Sequence, residues 1–410
     1  MRYYLLLLLP ALLTLCKPSQ RYSAPLSYDP PGSTNTASKE IQRQEKRTWS
    51  IDGITVSNEF DGARVLDFKK VNDSIYQVVN KPENTPINMS PWYAFNIKSE
   101  TEREVYIHLN YKYGKHRYYP DISRDGIIWL PLDSSRYMQA ADSSVLLKLN
   151  LSSKPHWIAA QELMTSEDNT DWINSLVNYQ YVQTEEFGKS VDGRKLLALR
   201  IGVDKKQPTL IVLSRQHPPE VTGYLAMQEF VEVLAGYSDL ARQFREQFSV
   251  IVVPMMNPDG VDMGHWRHNA AGVDLNRDWQ YYNQPEINAF QNYIKRLAKG
   301  YKLDIVLGID FHSTDIDLIY TFDEKTYKRK KGVVKDWVEL LQQSFPDEKI
   351  IEEDGDASSP VSKNWFLHEF NAEGVTYEVG DDTPRDLIKS KGEKSAQILM
   401  ELLLERYGKQ

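Results

Sequence analysis

At 410 residues, with 41% hydrophobic and 26% charged side chains, the chain is too long for one small core and too ordinary in balance for a disordered or fibrous protein, so two domains are expected. Its formal net charge of -8 excludes a general nucleic-acid binder, which would present a basic stripe to neutralise phosphates.

The opening MRYYLLLLLPALLTLCKPSQ sets one arginine before an apolar run, Tyr3 to Leu15. That run is shorter than the roughly 20 residues that span a bilayer and matches the core of a secretory signal. Residues 1–16 therefore read as a signal segment, and the expected location is exported, periplasmic or held at a membrane. Cys16 is the only cysteine, which excludes an intramolecular disulfide. The stretch LTLC resembles a bacterial lipobox, except that Leu15 stands where Gly, Ala or Ser is usual. Membrane attachment through lipidated Cys16 is the expectation, with a cleaved soluble form or an uncleaved anchor as alternatives. Residues 17–48, rich in Pro, Ser and polar side chains without periodicity, read as a flexible linker.

Between residues 49 and 153 the pattern changes to short alternating or aromatic runs broken by turn residues: ARVLDF, SIYQVV, WYAFNI, EVYIHLNY, GIIWLPL and SVLLKLNL. Such spacing predicts an antiparallel β-sandwich domain.

Residues 154–410 alternate strand-like runs (LLALRIG, TLIVLS, FSVIVVPMMN, DIVLGIDFH, GVTYEVG) with stretches of helical spacing (GYLAMQEFVEVLAGY, EINAFQNYIKRLAKG, GVVKDWVELLQQSF). The alternation predicts an α/β domain on a mostly parallel or mixed sheet. Sites in such domains gather beyond the carboxyl ends of strands. His217, Asn257, His312 and Glu378 all follow or end strand-like runs. The basic run Lys325 to Lys331, KTYKRKK, reads as a solvated surface loop.

His217 and Glu220 stand three apart in SRQHPPEVTGY, where a strand gives way to a helix. Zinc takes imidazole nitrogen and carboxylate oxygen, usually from three protein residues at a catalytic site, and this spacing lets two of them converge. Alone the motif is weak: Glu220 could serve the helix dipole and His217 could be a loop histidine. His312 in GIDFHSTD is the candidate third ligand. Asp310, two residues earlier, either orients a ligand from behind or is a hydrogen-bonded strand-end carboxylate.

The ordered series HPPE, NPDG, WR, DLNRDW, DFHS and YEVGDD resembles the zinc metallocarboxypeptidase family. With the β-rich region before it, the chain is similar to the cytosolic carboxypeptidase subfamily and its bacterial relatives, in which a β-sandwich precedes the peptidase domain. The resemblance implies a zinc carboxypeptidase-type α/β/α fold with a mixed sheet, one Zn2+ per chain, and peptide or protein C-termini as substrate. It implies zinc ligation by His217, Glu220 and His312. By the same resemblance Arg267 polarises the scissile carbonyl, Asn276 and Arg277 grip the terminal carboxylate, and Glu378 is the catalytic carboxylate.

Two features qualify the match. The position at which many members carry a lid tyrosine is occupied by Asp356, leaving Tyr320 or Tyr327 as candidates to replace it. In SPVSKNW, which resembles the specificity-pocket segment, the residue that faces the substrate's terminal side chain is Lys363. A buried lysine there would favour an acidic terminal residue or another free carboxylate, whereas an exposed one would not. The competing functions are a catalytically silent zinc-containing binding module, which loss of Glu378 or Arg277 would have favoured, and an amidase or deacylase. The intact Asn276–Arg277 pair speaks against the latter.

Overall fold

The computed structural model describes residues 36, 38–139, 144–202, 207–322, 326, 332–355 and 357–408. The expected signal segment with Cys16, much of the linker, Asp356, Tyr327 and all of the basic run but Thr326 lie outside the described residues. None of the described helices is long and apolar enough to cross a membrane.

The first domain is two sheets face to face. One holds six strands in the order Thr48–Ile51, Ile54–Ser57, Ala94–Ser99, His156–Ala159, Asp121–Ser123 and Trp129–Pro131. The other holds five, in the order Asp67–Lys70, Ile75–Asn80, Arg103–Tyr111, Val145–Leu151 and Tyr137–Gln139. Alternation fills the space between them: Val105, Ile107 and Leu109 from one sheet meet Val56, Phe95 and Ile97 from the other. Pairing is antiparallel except between Ile75–Asn80 and Arg103–Tyr111, which run parallel. The sandwich draws its strand His156–Ala159 from beyond residue 153. Its first hairpin, Thr48 to Ser57, turns on Asp52 and Gly53, both at positive φ. Asp-Gly between two alternating runs is a strong hairpin cue.

The second domain is built on an eight-stranded mixed sheet in the order Val182–Lys189, Lys195–Ile201, Ser249–Val253, Pro208–Ser214, Asp304–Thr314, Glu373–Gly380, Leu318–Thr321 and Ile351–Asp354. Its central strands Ser249–Val253, Pro208–Ser214, Asp304–Thr314 and Glu373–Gly380 are parallel and largely apolar because both faces are covered, with polar residues gathered toward the carboxyl ends. Leu210 and Val212 face the helices Val221–Ala235, Val334–Ser344 and Arg385–Tyr407. Ile211 and Leu213 face Pro285–Tyr301 and Ser362–Phe370. The result is the expected α/β/α layering.

The two domains share a core. Val221 and Trp266, both from the α/β domain, are buried in the hydrophobic cluster of the sandwich. The Trp266 indole donates to the Trp92 carbonyl at 3.0 Å, and Gly114 lies so close to that ring that a Cβ there would overlap it. Trp266→Ala should therefore lower the unfolding free energy by about 3–5 kcal/mol, with both domains melting in one transition. Chemical denaturation followed by far- and near-ultraviolet circular dichroism checks this.

Candidate active site

The parallel strands deliver three side chains to one place. His217 lies beyond the end of Pro208–Ser214, and His312 lies near the end of Asp304–Thr314. Glu378 is the direct cross-strand neighbour of His312 on Glu373–Gly380. Glu220 is the N-cap of the helix Val221–Ala235, but its side chain makes no capping bond. It turns instead toward the histidines, with Oε1 2.8 Å from His217 Nδ1 and Oε2 2.6 Å from His312 Nδ1. This closeness requires Gly223, because any Cβ one turn into the helix would collide with the His312 backbone.

His217, Glu220 and His312 are all buried, and one ligand atom from each lies within 4.8 Å of the others. Both rings offer Nδ1 to the common point. Their Nε2 atoms are held from behind by carboxylates, Asp274 Oδ1 at 2.9 Å from His217 and Asp310 Oδ2 at 2.9 Å from His312. Two imidazoles braced by carboxylates around a third carboxylate are the donor set and outer support that zinc takes. The charge balance agrees. Burial would raise the Glu220 carboxyl, yet the charges of His217 and His312 hold it well below the usual carboxylate range. Burial opposes charge on His312, but Asp310 and Glu220 carry it well above the ordinary imidazole range. The cluster attracts positive charge.

Glu378 brings a carboxylate whose buried Oε2 has no hydrogen-bond partner. Burial pushes its carboxyl up to about 7; the Glu220 charge adds to the rise, and His312, His217 and Arg267 oppose it. Arg267 is buried, its Nε donating to Asp274 Oδ2 at 2.6 Å, and the charges of Glu220 and Glu378 both act on it. Asn276 and Arg277 share the 3-10 turn Leu275–Arg277. The Asn276 amide nitrogen is 3.4 Å from His312 Nε2, and its oxygen accepts the Ser362 N–H at 2.9 Å. Arg277 is half-buried and donates to the Asn276 carbonyl.

Lys363 is buried rather than exposed. It is the second residue of the helix Ser362–Phe370, donates to the Thr321 carbonyl at 2.8 Å and stands 3.5 Å above the Phe322 ring. Tyr320 is on the strand Leu318–Thr321, paired across from Thr376, not on a loop.

A family model described as zinc carboxypeptidase matches residues 170–389, more than half of the chain. The chain belongs to the zinc carboxypeptidase family. As such it is a metal-dependent peptide hydrolase. Among similar proteins, an uncharacterised protein of Zymomonas mobilis is 24% identical over 84% of this carboxypeptidase and 93% of its own length. Mouse cytosolic carboxypeptidase 3 is 33% identical over 35% of the chain, which spans only 14% of that relative's length. The fold is shared with a metallo-carboxypeptidase from Burkholderia cenocepacia, at 17% identity and a TM-score of 0.72, covering 85% of this chain and 98% of the other. It is also shared with one from Pseudomonas aeruginosa, at 20% identity and 0.66, covering 86% and 99%.

Two elements of the carboxypeptidase site escaped the sequence reading. Asp274, the first residue of DLNRDW, links His217 to Arg267 and also accepts the Asn276 N–H at 2.9 Å; an aspartate that opens a motif reads as a cap. The sandwich contributes Arg117, whose Nε donates to Asp381 at 2.7 Å just beyond Glu378, and no local pattern marks it. Asp274→Asn should weaken zinc affinity about 10–100-fold by loosening the His217 ring, measured by competition with a chelating dye.

Proposed function

We propose that this carboxypeptidase removes the C-terminal residue of peptides or proteins by adding water across the last peptide bond. The observation that carries the reading is the meeting of the His217–Glu220–His312 cluster with Glu378, the cross-strand neighbour of His312. One zinc ion per chain, held by His217, Glu220 and His312, would polarise a carbonyl and acidify water, in well-studied cases from about 15.7 to about 7. Glu378 accepts a proton from the attacking water and returns it to the leaving amine. Arg267 faces the carbonyl oxygen as negative charge builds there. Arg277, with Asn276 beside it, binds the terminal carboxylate in a fork that a lysine could not reproduce, which confines cleavage to the chain end.

Release of the terminal residue from a peptide panel tests this. Cleavage should stop on chelation and fall by about 10²–10⁴-fold in Glu378→Gln, the range for loss of a positioned acid–base group. A zinc-loaded, folded protein that leaves every peptide intact would overturn it. Because Glu378 must be deprotonated to accept a proton, and burial raises its carboxyl to about 7, kcat/KM should decline as pH falls. A bound divalent cation favours the carboxylate, so the acid limb should lie at or below that value.

The same reading extends to substrate choice. The position of Lys363, whose ammonium is buried beside the Thr321 carbonyl and the Phe322 ring, supports a preference for C-terminal Glu or Asp, whose carboxylate could accept a charge-assisted hydrogen bond from it. Glu-terminated peptides should be cleaved at least about tenfold faster than Lys-terminated ones, one charge-assisted contact being worth roughly that much, and Lys363→Gln should erase the difference. Faster cleavage of Lys-terminated peptides would sink the idea.

A further inference from the structure

We propose that Glu83, on the sandwich domain, is a positioning residue for the peptidase reaction, setting the placement of Arg267 by holding the backbone on either side of it. This rests on the reading of Arg267 as the group that steadies the oxyanion.

Glu83 is completely buried. Its Oε2 accepts the Trp266 N–H at 2.8 Å, and its Oε1 accepts the N–H of Arg267 at 3.0 Å and of His268 at 2.6 Å. Three successive amides converging on one carboxylate make an anion nest, and each bond is charge-assisted, so stronger than a neutral one. Burial would raise the Glu83 carboxyl, but His265, His268, Arg64 and the His268 amide bring it down to about 2, which agrees with the three N–H groups aimed at it in favouring the anion.

Arg267 is the middle residue of the three. Its backbone points to Glu83, while its side chain points the other way, to Asp274 and the charges of Glu220 and Glu378. Residues 264–274 form no helix or strand, so the α/β domain does not fix this stretch through regular structure. Other contacts come from the same sandwich segment. The Asn84 amide donates to the Gly272 carbonyl at 2.8 Å and its oxygen lies 2.5 Å from His268 Nδ1. Glu83 thus begins a continuous polar path through the Arg267 backbone and guanidinium to Asp274 and His217.

A double-mutant cycle in the full-length, zinc-loaded enzyme tests the proposal. Glu83→Gln keeps the shape but turns an NH2 toward amide donors. It should lower kcat by about 10–100-fold, the scale of an ångström-sized misplacement, with KM unchanged, as expected when an interaction specific to the transition state is lost. Zinc content should remain at the wild-type level. Glu83→Asp, which keeps the charge on a shorter arm, should recover part of the loss, and it carries the same cycle if the glutamine variant does not fold. In an Arg267→Ala background neither Glu83 variant should cost anything further. Equal fractional losses with and without Arg267, a loss that tracks zinc content, or full kcat in a folded Glu83 variant would overturn the proposal. If Arg267→Ala itself left kcat unchanged, the assignment of Arg267 would fall first; a costly Arg267→Ala without coupling would remove the role of Glu83 alone.

Discussion

The parallel register between Asp304–Thr314 and Glu373–Gly380 is the constraint on which the rest depends. It sets His312 and Glu378 opposite one another, and because side chains alternate along a strand, a slip of one residue would send one of them to the other face. Buried hydrophobic side chains on both faces hold that register: Ile309, Phe311 and Tyr377 on one side, Ile211, Leu213 and Phe366 on the other. The histidine and the carboxylate therefore inherit their spacing from the core. A buried Lys391–Asp317 pair braces the end of the same sheet, since Asp317 also accepts the Gly380 N–H at 3.0 Å.

Around that register the site is assembled by carboxylates acting on other side chains. Asp274, Asp310 and Glu220 each touch a histidine, and Asp274 adds an arginine. Burying so many charged groups would be costly in isolation; here each negative charge is matched by an imidazole, a guanidinium or amide donors. The interior at this point is polar and mostly satisfied; the exceptions include Glu378 Oε2 and Asp310 Oδ1.

How much of this was legible follows from how local each feature is. The metal cluster was, because its members fall directly after or at the ends of apolar runs, and a strand followed by a helix leaves few places for such residues to go. The helices Val221–Ala235 and Pro285–Tyr301 were also readable from spacing. The 23-residue helix Arg385–Tyr407 was not: its first half is largely polar and its second largely apolar, so no single stripe repeats along it. Gly392 within it matters through a close approach to Ala226 and Glu229 on another helix, a contact that has no signature in its own neighbourhood. The short strands Asp121–Ser123 and Tyr137–Gln139 have too few residues to display alternation. Glu83 sits among turn residues in NKPENTPIN, where a glutamate is unremarkable until the loop it anchors, over 180 positions later, is in view.

The shared core has a bearing on synthesis. A chain made from its N-terminus completes every strand of the sandwich well before residue 266, yet the sandwich cannot close its interior until Trp266 arrives. During that interval the Tyr111 ring and the Trp92 carbonyl, which will meet the indole, remain open to water, and the Glu83 carboxylate keeps its hydration. Apolar surface left exposed in this way is what draws nascent domains into wrong associations. The N-terminal module therefore matures only with its downstream partner: the residue that seals its core is joined directly to the arginine at the active site.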